Sequence, residues 1–314
     1  MMCERSSVGA YDLHNHSVFS DGSCTVDELI AQARSAGLAG VAVTDHDSLS
    51  QLSAVRACAC AAGYPVLAGV EVSAVCAATG RKVHILGFGL EATPDGSGPL
   101  ERMVASTLHA RAANTLWQAW TIKHAMDAGA DPLEGLATVG VAEVDRCDPD
   151  FSLDAVARAC AAGTAPYKQH IMEALTHLTY TDTAYQPIYR SLFRGRGIAV
   201  SDISYPEATD AVRAIREQGG VPVLAHPGQM DSWSIVPDLV TAGLMGIEAF
   251  HPDHGPAEER RARELATEYG LFVTGGSDYH GRNGASPKVG ERFVYPDEAG
   301  ERVAELFARE AALA

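Results

Sequence analysis

The chain has little positive charge and no long apolar run. Lysine and arginine number 24 against 40 aspartates and glutamates, which gives a formal net charge of -16. A general nucleic-acid-binding surface is therefore disfavoured, because long duplexes are held mainly by clustered Lys and Arg. No apolar run approaches the roughly 20 residues that a membrane-spanning helix needs, and the start MMCERSSVGA lacks the layout of a signal peptide. We expect a cytoplasmic globular protein without a membrane partner.

Cysteine is also scarce. The seven cysteines are odd in number and show no paired spacing, so a disulfide framework of the kind found in secreted domains is not indicated. We interpret them as reduced thiols, in agreement with a cytoplasmic location. A chain of 314 residues that is 46% hydrophobic can nevertheless bury the core of one large domain or two modest ones.

Strand and helix signals alternate in two separated parts of the chain. Residues 8–95 and 198–314 contain short apolar strands joined by amphipathic helices that end at glycine, which favours an α/β fold with a mostly parallel sheet. The loop PDGSGP interrupts the first part, and the signals of residues 96–197 are mainly helical. We predict a discontinuous α/β domain with an inserted helical subdomain.

A pair of histidines ends the first apolar strand, in the segment YDLHNHSVFSDGS. Residues two apart on a strand share a face, so His14 and His16 would present two imidazoles to one point. By itself this spacing fits either a metal site or two surface histidines at a strand end.

The other strand ends favour the metal. In a parallel barrel the carboxyl ends of the strands meet at one rim, where catalytic groups collect. Seven of the twelve histidines belong to the potential ligands that follow the apolar strand cores, which are His14, His16, Asp45, His46, Glu71, His84, His226, Glu248, His251, Asp278 and His280. Imidazoles and carboxylates without thiolates suit Mn²⁺, Fe²⁺ or Zn²⁺, and neighbouring divalent ions suit phosphoryl transfer.

These motifs resemble the polymerase and histidinol phosphatase (PHP) family of metal-dependent phosphoesterases. The resemblance is carried by DLHNHSVFSDG, TDHD, AHP at 225–227 and GSDYH at 276–280, with GVE and HILGFG between them. It implies a distorted (β/α)7 barrel with two or three divalent ions in its mouth. One ion would take His14, His16, Glu71 and Asp278, a second Glu71, His84 and His226, and a third Asp21, His46 and His280.

Further residues receive roles that follow less directly from the motifs. As a catalytic helper, Asp45 is expected to orient His14 or His46 as a carboxylate partner, with loop capping as the alternative. His251, as a catalytic residue, and His254, as a substrate-binding residue, are expected to hydrogen-bond the phosphate, with a histidine-rich loop as the alternative. Glu248 is expected to lie outside the direct ligands.

The helical residues 96–197 are predicted to cap the site and to select the substrate. Lys168 and His170 lie two apart at a helix start, and Arg194 and Arg196 flank a glycine turn. Lysine and arginine at such positions suit phosphate recognition, although a solvated surface is the alternative for each.

The position of the insertion is similar to that in nucleoside 3′,5′-bisphosphate phosphatases of the family. The resemblance implies removal of the 3′-phosphate to give a 5′-nucleotide such as AMP, with trimming of short oligoribonucleotides as a further activity. A histidinol-phosphate phosphatase, another small-molecule phosphatase and a non-catalytic metal-binding scaffold remain alternatives. The expected partner is a small phosphorylated molecule, with no obligatory protein partner.

Overall fold

The structure is a computed structural model that describes residues 6–133 and 147–313. The strands are β1 (Tyr11–Asp12), β2 (Gly40–Val43), β3 (Val66–Ala68), β4 (Val70–Cys76), β5 (Arg81–Phe88), β6 (Val221–Leu224), β7 (Gly246–Phe250) and β8 (Phe272–Gly275). The helices are α1 (Val26–Ser35), α2 (Leu52–Ala62), α3 (Pro99–Asp127), α4 (Leu153–Ala159), α5 (Lys168–Thr176), α6 (Tyr185–Phe193), α7 (Ala208–Glu217), α8 (Pro227–Met230), α9 (Val236–Ala242), α10 (Pro256–Tyr269), α11 (Pro296–Ala299) and α12 (Glu301–Leu313). None of these helices is both long enough and apolar enough to cross a membrane.

The strands form two sheets. β1, β2 and β3 make a parallel three-stranded sheet, and β4 to β8 make a five-stranded sheet in sequence order. β6, β7 and β8 are parallel, whereas β5 is antiparallel to both β4 and β6. The short turn between β4 and β5 dictates their antiparallel pairing, because a parallel pair needs a long crossover. The predicted α/β class is therefore confirmed, but the strands of the described chain do not form one closed seven-stranded sheet.

Backbone hydrogen bonds join the edges of the two sheets. The amide of Leu13 donates to the carbonyl of Gly275 at 3.0 Å, which places the end of β1 beside the end of β8. On the other side, the amide of Glu71 in β4 donates to the carbonyl of Asp45 at 3.2 Å, and the amide of Asp47 donates to the carbonyl of Glu71 at 3.0 Å. The carboxyl ends of strands from both sheets consequently lie next to one another.

Buried apolar residues form two clusters. The larger cluster lies between the sheets and the helices around them, and includes residues from β2 to β8 and from α1, α2, α7 and α12. The smaller contains Ile122, Phe151, Ile171 and Ile188, which belong to the helical region between β5 and α7. The division into residues 8–95 with 198–314 and the insertion 96–197 stays a prediction.

The helix signals read from the sequence are visible at α1. The amide of Thr25 donates to Glu28 Oε2 at 2.7 Å, and the amide of Glu28 donates to Thr25 Oγ1 at 3.3 Å. This reciprocal pair confirms the predicted capping box. Gly37 follows the helix with φ of +71°, a conformation that favours glycine.

Asp12 holds three chain segments together below the strand ends. Its buried carboxylate accepts hydrogen bonds from the hydroxyl and the amide of Ser277, from the amide of Gly290 at 2.7 Å and from the side chain of Asn15 at 2.9 Å. Burial raises the pKa of Asp12 to about 6, against these hydrogen bonds, which lower it. The carboxylate thus fixes the loop that follows β8 against β1.

We expect Asp12→Ala to lower the free energy of unfolding by about 3 to 5 kcal/mol, because several buried donors lose their acceptor. Urea unfolding monitored by circular dichroism measures the change. Asp210→Ala, which removes an exposed carboxylate paired with Arg213, is the control and should cost about 0.5 kcal/mol or less. Equal losses in the two variants would contradict the role of Asp12.

Candidate active site

The carboxylate of Glu71 lies at the centre of the strand ends, where it faces two sets of imidazoles. Its Oε1 lies 2.8 Å from Nδ1 of His84 and 2.9 Å from Nε2 of His226. Its Oε2 lies 3.1 Å from Nε2 of His16 and 3.3 Å from Nε2 of His14. Each oxygen is therefore available to a different ion, so that Glu71 can bridge two.

The nine predicted ligand residues come together in three groups whose ligand atoms lie within 4.8 Å of one another. The first group is His14, His16, Glu71 and Asp278, the second is Glu71, His84 and His226, and the third is His16, Asp21, His46 and His280. His16 thus belongs to two groups, whereas the sequence assigned it to one. The groups contain imidazole and carboxylate ligands but no thiolate, which fits divalent Mn, Fe or Zn.

The contacts inside the groups fit metal ions better than hydrogen bonds. Nε2 of His14 and Nε2 of His16 lie 3.2 Å apart, and both lie within 3.5 Å of Asp278 Oδ1. Two ligand atoms that are each about 2.1 Å from one ion are about 3.0 to 3.4 Å apart. Buried atoms of the third group without a hydrogen-bond partner, which a cation would satisfy, are Nδ1 of His16 and His46 and Oδ1 of Asp21.

The carboxylates and imidazoles of the ligand groups shift one another's pKa values. Burial alone lowers the pKa of His16, but Asp278 and Glu71 raise it to about 10. The pKa of Glu71 is well below its usual range despite burial, because His84 and His14 stabilise its charge. Metal binding must therefore displace protons from imidazoles, which makes metal affinity fall as the pH falls.

Two ligand positions have strained backbones. His226 and Asp278 have φ of +24° and +47°, a region that L residues rarely adopt. Gly276 lets the segment that carries Asp278 lie close to His14, because a Cβ at position 276 would lie 2.3 Å from Cβ of His14. The amide of Asp278 then donates to the carbonyl of His14 at 2.9 Å, which fixes the two ligands side by side.

A second layer of side chains orients the ligands. Both oxygens of Glu248 lie within 3.3 Å of Nδ1 of His14, so that Nε2 points into the first group. The amide of Asp253 donates to Nδ1 of His251, which leaves its Nε2–H to donate to Asp278 Oδ2 at 3.2 Å. His251 thus positions a ligand.

Asp45 does not have the role that the sequence suggested. Its buried carboxylate accepts hydrogen bonds from the amide and hydroxyl of Ser17, at 2.8 and 2.7 Å, and from the hydroxyl of Ser20 at 2.6 Å. It therefore shapes the loop after His16 rather than orienting His14 or His46.

Two predicted substrate-binding histidines are structural. Nδ1 of His254 faces the carbonyl of Ala249 at 2.9 Å, and its Nε2 accepts from the amide of Gly228 at 2.9 Å. Nδ1 of His170 accepts from the amide of Tyr167 and caps α5. Both imidazoles are buried, so neither is free to contact a phosphate.

A cavity of about 410 Å³ lies beside the candidate metal centre and carries four cations. His46, His84 and Asp21 form its inner wall, and Lys82, Arg111, Lys168 and Arg194 also line it. We name it the catalytic cavity. Arg196, which the sequence grouped with Arg194, is exposed and does not line it.

Sequence reasoning missed two of these cations. Arg111 lies on α3, where it donates to Asp47 Oδ2 at 2.5 Å and to the hydroxyl of Ser73 at 2.9 Å. Nothing local in the sequence distinguishes it, because its role depends on the packing of α3 over the strand ends. Lys82 had a signal, since it is two residues before His84 on β5 and shares its face.

Gln169 was also missed. Its side-chain amide donates to Asp21 Oδ2 at 2.9 Å, which directs the other oxygen of Asp21 toward His280 at 3.4 Å. It is next to Lys168 at the start of α5, so one turn of this helix contributes both to the catalytic cavity and to the third ligand group.

Loss of the central carboxylate should disrupt metal binding. For Glu71→Gln we expect metal affinity to fall by more than the about 10 to 100-fold that loss of an outer partner costs, because two groups lose their shared anion. Metal content after dialysis against Mn²⁺, and the metal-dependent rise in melting temperature, measure the effect. Glu264→Gln, on the exposed face of α10, is the control and should bind like the wild type. Equal metal content in both variants would contradict this assignment.

Comparison with known proteins agrees with the geometry. The model of the PHP domain matches residues 12–193. Phosphoribosyl 1,2-cyclic phosphate 1,2-diphosphodiesterase from Eggerthella lenta is 46% identical over 281 residues, covering 90% of this chain and 98% of the relative. The 3′,5′-nucleoside bisphosphate phosphatase from Chromobacterium violaceum is 30% identical, covering 91% and 92%.

Solved structures show the same fold. A Bifidobacterium adolescentis protein described as a metal-dependent phosphoesterase superposes with a TM-score of 0.74 at 27% identity, over 97% of this chain and 98% of the other. An amidohydrolase from Chromobacterium violaceum, solved with sulfate and no metal, gives 0.71 at 26% identity, over 96% and 97%. The chain therefore belongs to the PHP domain family of metal-dependent phosphoesterases.

Proposed function

We propose that this protein hydrolyses the cyclic phosphodiester of phosphoribosyl 1,2-cyclic phosphate. The observation that carries the proposal is the juxtaposition of three metal-ligand groups with a cavity that contains four cations. One phosphate is placed at the ligand groups for cleavage, and a second is held at the cationic wall. This substrate carries both phosphates on one small sugar, and the relative with 46% identity is named for it.

The two ends of the catalytic cavity bind different phosphates of the substrate. Divalent ions held by the three groups would polarise the phosphoryl oxygens and activate water. At the other end, Lys168 and Arg194 have no carboxylate partner in the described chain, so both are free to bind a phosphate. Lys82 and Arg111 are already paired with Asp202 and Asp47, which balance their charges, and would donate hydrogen bonds to the substrate without having to move.

The chain positions these groups without contributing a nucleophile of its own. His251 holds Asp278 through its Nε2–H, and Glu248 holds His14, so the ligand atoms are fixed before a substrate enters. Tyr167 closes the cavity floor, with its hydroxyl donating to the carbonyl of His46 at 3.2 Å. Preorganisation of this kind favours the transition state because little rearrangement accompanies the reaction.

The proposed domain architecture also separates the metal ligands from most of the cations that bind the substrate. We infer that the two sheets act as one distorted barrel, supported by the hydrogen bond between Leu13 and Gly275 and by those of Glu71 with Asp45 and Asp47. Arg111, Lys168 and Arg194 all lie within residues 96–197, which supports a capping insertion that selects the substrate. The ligand groups lie outside this range.

A nucleoside 3′,5′-bisphosphate is the second candidate substrate. It also carries two phosphates on one ribose, and a relative with 30% identity is named for it. Tyrosine side chains beside the catalytic cavity, such as Tyr189 and Tyr205, are compatible with an added base. The two candidates differ in the ester that is cleaved, so product analysis separates them.

We expect the protein loaded with Mn²⁺ to hydrolyse phosphoribosyl 1,2-cyclic phosphate with a kcat/KM at least about tenfold above that for adenosine 3′,5′-bisphosphate, because the base adds bulk that the proposed substrate lacks. Phosphorus NMR identifies the product, and its time course gives the rate for both substrates, because opening of the cyclic phosphodiester yields a phosphomonoester and no free phosphate. His226→Ala is the control for metal-dependent turnover and should abolish both reactions. A preference for the bisphosphate would transfer the assignment to the second candidate.

The charge of Lys168 should appear in the pH dependence of substrate binding. Burial lowers the pKa of Lys168 to about 8, with Lys82, Arg194 and Arg111 acting in the same direction and Asp202 against them. As the pH rises through 8 the ammonium loses its proton, so KM should rise by about tenfold through loss of a charge-assisted contact.

Steady-state kinetics of the wild type and Lys168→Arg between pH 6.5 and 9.5 measure this effect. The guanidinium stays charged over the whole range, so the ratio of the two KM values removes changes common to both proteins. A ratio that is independent of pH would show that Lys168 does not contact the substrate.

A further inference from the structure

The three ligand groups differ in the part of the chain that holds their carboxylates. Glu71 lies in β4 and Asp278 closely follows β8, so the first and second groups are built on strand ends. The only carboxylate of the third group is that of Asp21, which lies in the loop between β1 and α1. Because no strand ladder fixes a loop residue, other contacts must position this carboxylate.

The carboxylate of Asp21 is farther from its imidazoles than Glu71 is from its own. Oδ1 of Asp21 lies 3.4 Å from Nε2 of His280, 3.8 Å from Nδ1 of His16 and 4.0 Å from Nε2 of His46. Glu71, in contrast, lies within 3.3 Å of every imidazole of the first and second groups. An ion at the third group must draw its ligand atoms closer together, which reduces the free energy of binding.

Residues at the start of α5 hold the third group from outside. The side-chain amide of Gln169 donates to Oδ2 of Asp21 at 2.9 Å, and the hydroxyl of Tyr167 donates to the carbonyl of His46 at 3.2 Å. Just before them, the amide and the hydroxyl of Thr164 donate to the carbonyl of Phe19 at 2.9 and 3.0 Å. Two ligands of the third group and the loop that carries one of them therefore contact the helical region.

The first and second groups have no such contacts. Glu248 holds His14, His251 holds Asp278, and backbone hydrogen bonds to the loop after β2 fix Glu71. Where the structure describes residues 96–197, none of them forms a hydrogen bond or an ion pair with a ligand of the first or second group. Only the third group thus depends on the helical region for its geometry.

We propose that Gln169 is a positioning residue that controls whether the third ligand group holds its ion. Its amide fixes Oδ2 of Asp21 and so keeps Oδ1 directed at the imidazoles of the group. The ion of the third group is the most weakly bound of the three and is lost selectively when this contact is removed. The proposal does not depend on which ester the metal centre cleaves.

The test is calorimetric titration of the metal-free protein with Mn²⁺, together with elemental analysis of bound metal at fixed free Mn²⁺. Gln169→Met keeps the side-chain length but removes the donor. It should weaken one of three ions by about tenfold or more, which is the usual effect of losing an outer partner, and leave the other two within about twofold.

Gln229→Met is the matched control. It removes the same type of hydrogen bond, from a glutamine amide to Oδ2 of Asp253 at 2.8 Å, but Asp253 belongs to none of the ligand groups. This variant should bind three ions like the wild type. The melting temperatures of the two metal-free variants should agree within about 2 °C, because a positioning residue acts on the ion and not on the stability of the metal-free fold.

A ligand variant assigns the lost ion to its group. His280 belongs to the third group alone, so His280→Ala should remove one ion. Adding Gln169→Met to His280→Ala should then change the affinity of the remaining ions by less than about twofold, because the glutamine acts only through the third group. Tyr167→Phe removes the other contact from α5 and should weaken the same ion by a smaller factor, which keeps the proposal testable if Gln169→Met does not fold.

Other results would overturn the proposal. Equal weakening of all three ions in Gln169→Met, or a lower melting temperature of its metal-free form alone, would show that Gln169 has a general structural role. Unchanged binding of all three ions would show that Asp21 needs no partner. Only two ions in the wild type would show that the third group holds none. Each readout is independent of the substrate, so failure here is separate from failure of the proposed function.

Discussion

The structure depends on one buried anion, the carboxylate of Glu71, which lies among imidazoles from several strand ends. A lone carboxylate at this depth would be costly, and so would imidazoles packed with their nitrogen atoms facing one another. Burial of the carboxylate and the imidazoles together costs less free energy, because each histidine can share a proton or a cation with Glu71. The backbone around these strand ends holds Glu71 and the imidazoles in this arrangement.

Side chains outside the three ligand groups keep the ligands in place. Glu248 and His251 fix His14 and Asp278 from behind, and the buried carboxylate of Asp12 ties the loop after β8 to β1. The strained φ values of His226 and Asp278 are tolerated for the same reason, since neighbouring hydrogen bonds over-determine their positions. An ion held by these ligands would stabilise the folded chain, so stability and metal affinity are expected to be coupled.

The metal-ligand groups and most cations of the catalytic cavity come from different parts of the chain. The strand ends provide the ligand groups, whereas α3, α5 and the end of α6 provide most of the cations around the catalytic cavity. These local cations matter more to an anionic substrate than the net charge of the protein, because they lie within contact distance and are partly shielded from water.

The sequence by itself determined the α/β class, the cap of α1 and the nature of the ligands, because strand periodicity and capping are local and most ligands lie close after apolar strand segments, although His84 lies within β5. Only the tertiary structure decided how side chains far apart in sequence meet. It directed Asp45 to Ser17, used His170 and His254 for backbone contacts, and brought Arg111 over the strand ends. It also separated the strands into two sheets. Such outcomes depend on the packing of helices against strand ends, which no local pattern of residues encodes.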